Sequence, residues 1–200
     1  MARKSAAQRA GPGPTNAVTY EAILKRLGET AAPIAELDLA ATAGVYAWFL
    51  AKGATLAKVS NPAGGAIYIG KSSNLAEREF DTHFAAGKTG FSTLRRSLGA
   101  ILKDELSLSC EPRGTGTSKT NFINYRFDDA GEARLSDWMI QYLRVGTCAV
   151  DFDDLQTHEA QLIALACPPL NLTGWKNPEA RAIRELRKVC ADQARAEHPR

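Results

Sequence analysis

Gly44–Ala51 reads GVYAWFLA, and Ala66–Gly70 reads AIYIG. The first stretch is a run of β-branched, aromatic and small apolar residues, which predicts a buried strand. The second predicts another. Between them, Lys52–Gly65 contains Gly53, Asn61-Pro62 and Gly64-Gly65, the residues of a hairpin loop. Strands this close in sequence pair antiparallel. Lys71-Ser72-Ser73-Asn74 then opens a helix, with Ser72 or Ser73 as cap and Glu77 near its first turn. That helix is expected to run through Leu75, Arg78 and Phe80 toward Phe84 and to end at Gly87 and Gly90.

Outward from this strand–strand–helix unit, apolar spacing marks further elements. Thr19–Leu27 predicts a helix stopped by Gly28. Ser92–Leu106 predicts another, with Leu94, Leu98, Ile101 and Leu102 inward and Arg95-Arg96 on the opposite side. Glu111–Thr120 is expected as an exposed loop and Phe122–Phe127 as a strand. Ser136–Leu143 follows as a helix and Thr147–Phe152 as a strand. Asp154–Cys167 predicts a helix that Pro168-Pro169 terminates. Pro178–Arg195 predicts a last helix, with Ile183, Leu186 and Val189-Cys190 on one face. The fold class is therefore α+β: a small, mostly antiparallel central sheet flanked by helices, with helical extensions and an insertion.

The 200 residues suit one domain with extensions, and 44% hydrophobic residues suffice for one core. A net charge of +3 permits a nucleic-acid partner without requiring one. Cys110, Cys148, Cys167 and Cys190 form no C-x-x-C pair and read as reduced core residues. No apolar run reaches the length of a membrane span, and Met1–Thr15 lacks the apolar stretch of a signal peptide. A cytoplasmic protein with no membrane partner is expected, either a monomer or a homodimer.

Five features lie at spacings that resemble the GIY-YIG nuclease family. Gly44-Val45-Tyr46 stands where that family has its first tripeptide and Tyr68-Ile69-Gly70 where it has its second. Arg78 follows Tyr68 by ten residues, Glu159 lies on a later helix, and Asn171 follows Glu159 by twelve. The resemblance covers about residues 42–84 and 147–175, and the stretch 88–146 is longer than in compact family members. It implies a nuclease-like domain at 42–175 with an insertion at about 88–146; composition and apolar spacing add a disordered basic arm at 1–15, a helical extension at 16–41 and a C-terminal helix at 176–200.

The resemblance implies a divalent-metal-dependent endonuclease acting on DNA, with a restriction-like or mobile-element type preferred to a repair nuclease. The chemistry suits the residue types. Glu159 can ligate one hard cation, Mg²⁺ or Mn²⁺, beside waters and phosphate oxygens. The planar fork of Arg78 matches phosphate oxygens. By the resemblance Tyr46 is the base that activates water and Tyr68 orients it. A phenol titrates near pH ~10, so such a base needs help, and Lys71 is the candidate helper. His83 is weighed as a proton-transfer assistant against a helix-end residue, and Asn171 as a support for the site's geometry. His158 is read as a neighbour of the metal ligand. Arg95 and Arg96 are candidates for DNA phosphates, set against the plain reading of a charged solvent face, and the exposed loop from Arg113 to Lys119 is a candidate for entering a DNA groove. For the C-terminal helix the solvated face is preferred. The alternative function is a non-catalytic nucleic-acid-binding module on the same fold.

Overall fold

In the computed structural model, residues 19–37, 39, 41–60, 65–78, 87–115 and 118–197 are described, the side chains of Glu77 and Arg78 excepted. Strand β1 (Gly44–Leu50) is the middle of a three-stranded antiparallel sheet, between β2 (Tyr68–Ser72) and β5 (Leu143–Ala149). Being covered on both faces explains why its sequence is apolar without alternation. Tyr46 pairs with Gly70, and Trp48 with Tyr68 on one side and Val145 on the other. Residues opposite each other share a face, so Tyr46, Trp48, Tyr68 and Val145 lie on one side of the sheet. Val45, Ala47 and Ile69 lie on the other.

Each face has its own core. On the Val45 side, Ile23 and Leu27 of α1 (Tyr20–Glu29) and Leu162 and Ile163 of α6 (Leu155–Ala166) close over the sheet. Thr19 caps α1 by accepting a hydrogen bond from the Ala22 N–H. The C-terminal end of α1 rests against β5 so closely that a Cβ on Gly146 would lie 1.7 Å from the Leu27 carbonyl oxygen. Only glycine fits there.

On the Tyr46 side the core is built by α3 (Thr93–Ile101), α5 (Asp129–Tyr142) and α7 (Ala180–Ala196). A two-residue ladder of β3 (Cys110–Glu111) and β4 (Arg126–Phe127) joins them. Two short helices complete the fold, α2 (Leu75–Arg78) and α4 (Lys119–Ile123). Both outer strands of the main sheet have partners along their edges. Ala32 forms a bridge to Val145 of β5. The Leu170 N–H donates to the Ile67 carbonyl, just before β2.

The architecture is the α+β arrangement expected, with several boundaries corrected. The strand expected over Phe122–Phe127 is only Arg126–Phe127. Ser118 accepts from the Asn121 N–H and starts a helix that takes in Phe122. The exposed loop expected at Glu111–Thr120 gives up Glu111 to β3 and Lys119-Thr120 to α4. Helix α5 begins well before Ser136, because Asp128 caps it through the Gly131 N–H at 2.9 Å. Strand β5 begins before Thr147, and α3 stops at Ile101. The expected course of the helix beyond Arg78 toward Phe84 lies outside the described residues.

All four cysteines are free, but only Cys110 and Cys190 are buried. Cys167 is exposed because it ends α6 in a left-handed conformation (φ 51°). Among the described residues, no helix is long and apolar enough to cross a membrane.

Candidate active site

The antiparallel register places Tyr46 and Tyr68 on the same face of β1 and β2, their ring centroids 6.5 Å apart. Tyr46 is 1% exposed and the hydroxyl end of its ring lies over Gly70. A Cβ at residue 70 would sit 2.5 Å from both Cζ and Oη of that ring. The second glycine of the pattern, Gly44, has a different reason. A Cβ there would meet the Cys148 carbonyl oxygen and Leu75 Cδ1, each at 2.6 Å.

Tyr46 and Tyr68 line a cavity of about 520 Å³ together with Lys71, Ser72, Phe152 and Glu159. Lys71 extends from β2 toward α6, where its ammonium pairs with Glu159 Oε2 at 2.8 Å and also donates to Gln156 Oε1. The Glu159 side chain is 21% exposed, open enough to exchange partners. Ser72 accepts a hydrogen bond from the Asn74 N–H, which turns the chain into α2.

Asn171 sits behind the tyrosines. Its Oδ1 accepts from the Ile69 N–H and its Nδ2 donates to the Ile69 carbonyl, both at 2.8 Å. One side-chain amide thus continues the edge of β2 as a neighbouring strand would. Its own carbonyl accepts from Trp175 Nε1 and Asn177 Nδ2, which hold the segment after α6 in place.

Of the residues singled out in the sequence, Tyr46, Tyr68, Lys71 and Glu159 therefore meet at one cavity, and Asn171 anchors the strand beneath it. Arg78 ends α2, but its side chain lies outside the described residues, as does all of His83. His158 faces away from the cavity, its ring 5.7 Å from that of Tyr20 on α1.

The two phosphate candidates on α3 are not on the surface expected of them. Arg95 is 0% exposed and pairs with the equally buried Glu132 at 2.7 Å, while Nη1 donates to Ser136. Arg96 is buried as well and donates to the Gly90 carbonyl at 2.8 Å. Burial lowers the Arg96 pKa to about 10, and the nearby Arg187 adds to the drop. Neither side chain is on a solvent face. Arg113 is half-buried and stacks on exposed Phe91 at 4.9 Å. Lys119 is exposed and lines a second, larger cavity.

Three neighbours of the site went unremarked in the sequence, the carboxylate of Asp153 among them. Gln156 lies one helical turn before Glu159 on α6, a spacing that puts both on one face. Phe152 is 65% exposed at the cavity rim, and nothing in its local sequence separates it from a core residue.

The site thus sets the phenols of two neighbouring strands beside the ammonium of Lys71 and the carboxylate of Glu159 on α6, and the family that this chain matches is of the nuclease type. Residues 44–191 match the family model described as the GIY-YIG catalytic domain, and the chain belongs to that family. The match runs through the stretch 88–146 and most of α7. No curated protein and no solved structure matches the chain. Nucleases of this family generally depend on a divalent metal.

Proposed function

We propose that this protein is a divalent-metal-dependent endonuclease that hydrolyses phosphodiester bonds in DNA. One observation carries the reading: Tyr46, Tyr68, Lys71 and Glu159, from three elements, line a single open cavity.

Glu159 suits a hard cation such as Mg²⁺ or Mn²⁺. It is a single carboxylate at a partly open position, where waters and phosphate oxygens can complete the shell. Among the described residues no group of three His, Cys, Asp or Glu side chains comes together, and Asp153 is the second carboxylate in the lining of the cavity. Bound there, the cation supplies Lewis-acid stabilisation of the leaving oxygen.

The chain's own residues do the rest. The Tyr46 oxygen, in its phenolate form, takes one proton from the attacking water and becomes the neutral phenol, and Tyr68 orients that water. The ring of Tyr46 is fixed by the strand pairing and by Gly70, which keeps the oxygen from wandering. Lys71 holds the Glu159 carboxylate toward the cavity and adds a positive charge to the lining it shares with the two phenols. Arg78, at the end of α2, takes the phosphate oxygens in its fork.

The test is nicking of supercoiled plasmid in Mg²⁺ against EDTA, with Glu159→Ala beside the wild type. Cutting should need the metal and fall by at least about 100-fold in the variant, the scale of losing one transition-state charge contact. A variant that cuts at full rate defeats the metal assignment. Wild-type protein that binds DNA but never cuts it supports a binding module instead.

A further inference from the structure

The catalytic cavity does not end at Glu159. A second depression, about 930 Å³, shares Tyr68, Gln156 and Glu159 with the first and extends to the side of α7. Five cationic side chains line it, Lys119, Arg184, Arg187, Lys188 and Arg195, against two carboxylates, Glu159 and Asp192. Asp192 already pairs with Lys188 at 2.5 Å and Arg195 at 2.7 Å. Arg184 is exposed and gives one N–H to the Leu172 carbonyl.

Arg187 differs from all of these. It is half-buried, and among the described residues it has no hydrogen-bond or ion-pair partner. Burial lowers its pKa, and Arg184 lowers it further against the opposing effect of Tyr125. A partly desolvated guanidinium with cationic neighbours is costly until an anion meets it. Its planar fork suits a phosphate.

Resting on the nuclease reading above, we propose that this second depression is the track for the DNA strand beside the cut, with Arg187 as its central phosphate contact. Arg184 and Lys119 flank that contact. The stretch of α7 from Arg184 to Arg195 rises about 16 Å. That matches about five nucleotide steps of one strand at roughly 3.4 Å each. The strand would enter over Tyr68 and Glu159 and leave along the helix. The plain solvated face expected for the last helix is thereby replaced, on its Arg184–Arg187–Lys188 side, by a wall of the site.

The experiment measures binding of a fluorescein-labelled 20-base-pair duplex by full-length protein in EDTA, by anisotropy over a NaCl series. Arg187→Gln should lower the salt slope by about 0.9, equivalent to roughly eightfold weaker binding at 0.1 M salt. Arg187→Lys should keep the slope. Arg181→Gln, an exposed change on α7 outside the depression, should bind as wild type. Should R187Q lose melting temperature, exposed Arg184 takes over the test as R184Q, with the same loss expected. Equal losses in R187Q and R181Q overturn the proposal in favour of diffuse charge. An unchanged slope in a folded R187Q that still nicks plasmid overturns it and leaves the nuclease reading standing. Wild-type protein that neither binds the duplex nor nicks plasmid overturns both.

Discussion

Gly70→Ala adds one methyl group at the point where the two tripeptides of the pattern touch. The new Cβ would lie 2.5 Å from Tyr46 Cζ and Oη and 2.9 Å from Cε2. Ordinary carbon contacts are about 3.5–4.0 Å, so the phenol end must retreat by about 1 Å. It has little freedom to do so. Tyr46 is 1% exposed, and its backbone is paired on both sides, to Gly70 and to Thr147. Overpacking of this kind costs about 1–3 kcal/mol. In a chain of this size each kcal/mol lowers Tm by roughly 2–4 °C. The larger effect is on chemistry, since a misplacement of ~1 Å in a reacting group can cost about 100-fold in rate.

Plasmid nicking and calorimetric Tm together read both quantities. Tyr46→Phe is the comparison, because it leaves the ring on Gly70 and removes only the hydroxyl. Both variants should cut about 100-fold more slowly, and only Gly70→Ala should carry the overpacking loss of Tm. Wild-type cutting by a folded Gly70→Ala would refute the claim that Tyr46 must sit where Gly70 allows it. Normal cutting by Tyr46→Phe would refute the hydroxyl's role and leave the ring as packing alone.

Two further variants separate fold from chemistry. Arg95→Met strands the Glu132 carboxylate, which also accepts from Thr89 Oγ1 at 2.8 Å and from the Phe127 N–H at 3.1 Å. Losing one partner of so buried a pair costs about 3–5 kcal/mol, to be read as a lower urea midpoint. DNA affinity per folded molecule should not change, and a loss of affinity at an unchanged midpoint would restore the surface reading of Arg95. Asn171→Ala leaves the N–H and carbonyl of Ile69 without their partner, at a cost of about 1–3 kcal/mol. Hydrogen exchange at the Ile69 amide should speed up while α5 stays protected, and an unchanged Ile69 rate would show that the amide clamp does not hold β2.

Strands β1 and β2 and their antiparallel pairing were legible because buried strands betray themselves by composition. GVYAWFLA contains no charged residue, and the loop after it is full of breakers. Glu159 and Asn171 were legible only through joint spacing, since either alone is an ordinary helix or turn residue. Arg95-Arg96 misled because adjacent arginines on a helix normally face water. Their burial depends on Glu132, which lies 37 positions beyond Arg95 and carries no mark in the sequence as its partner. The missed start of α5 has a local cause. Asp128 is a good cap, but the Gly131 that follows reads as a breaker, whereas here its missing Cβ makes room for Asp128 Oδ1 at 2.5 Å. The wall formed by α7 was hidden for a different reason: helical spacing gives a face, not what that face looks onto.

The tripeptide Tyr68-Ile69-Gly70 divides into three separate tasks. Tyr68 reaches the cavity, Ile69 fills the opposite core, and Gly70 leaves room for the ring of Tyr46. Asn171 then fixes the strand edgewise at Ile69, between the other two. β2 is thus held on its face by a ring and along its edge by an amide at consecutive positions. A strand loosened at either point would let Tyr68 swing relative to Glu159, which belongs to a different layer of the fold. The glycine and the asparagine therefore govern the same distance as the tyrosines themselves. For that reason the pattern as a whole, and no single member of it, specifies the site.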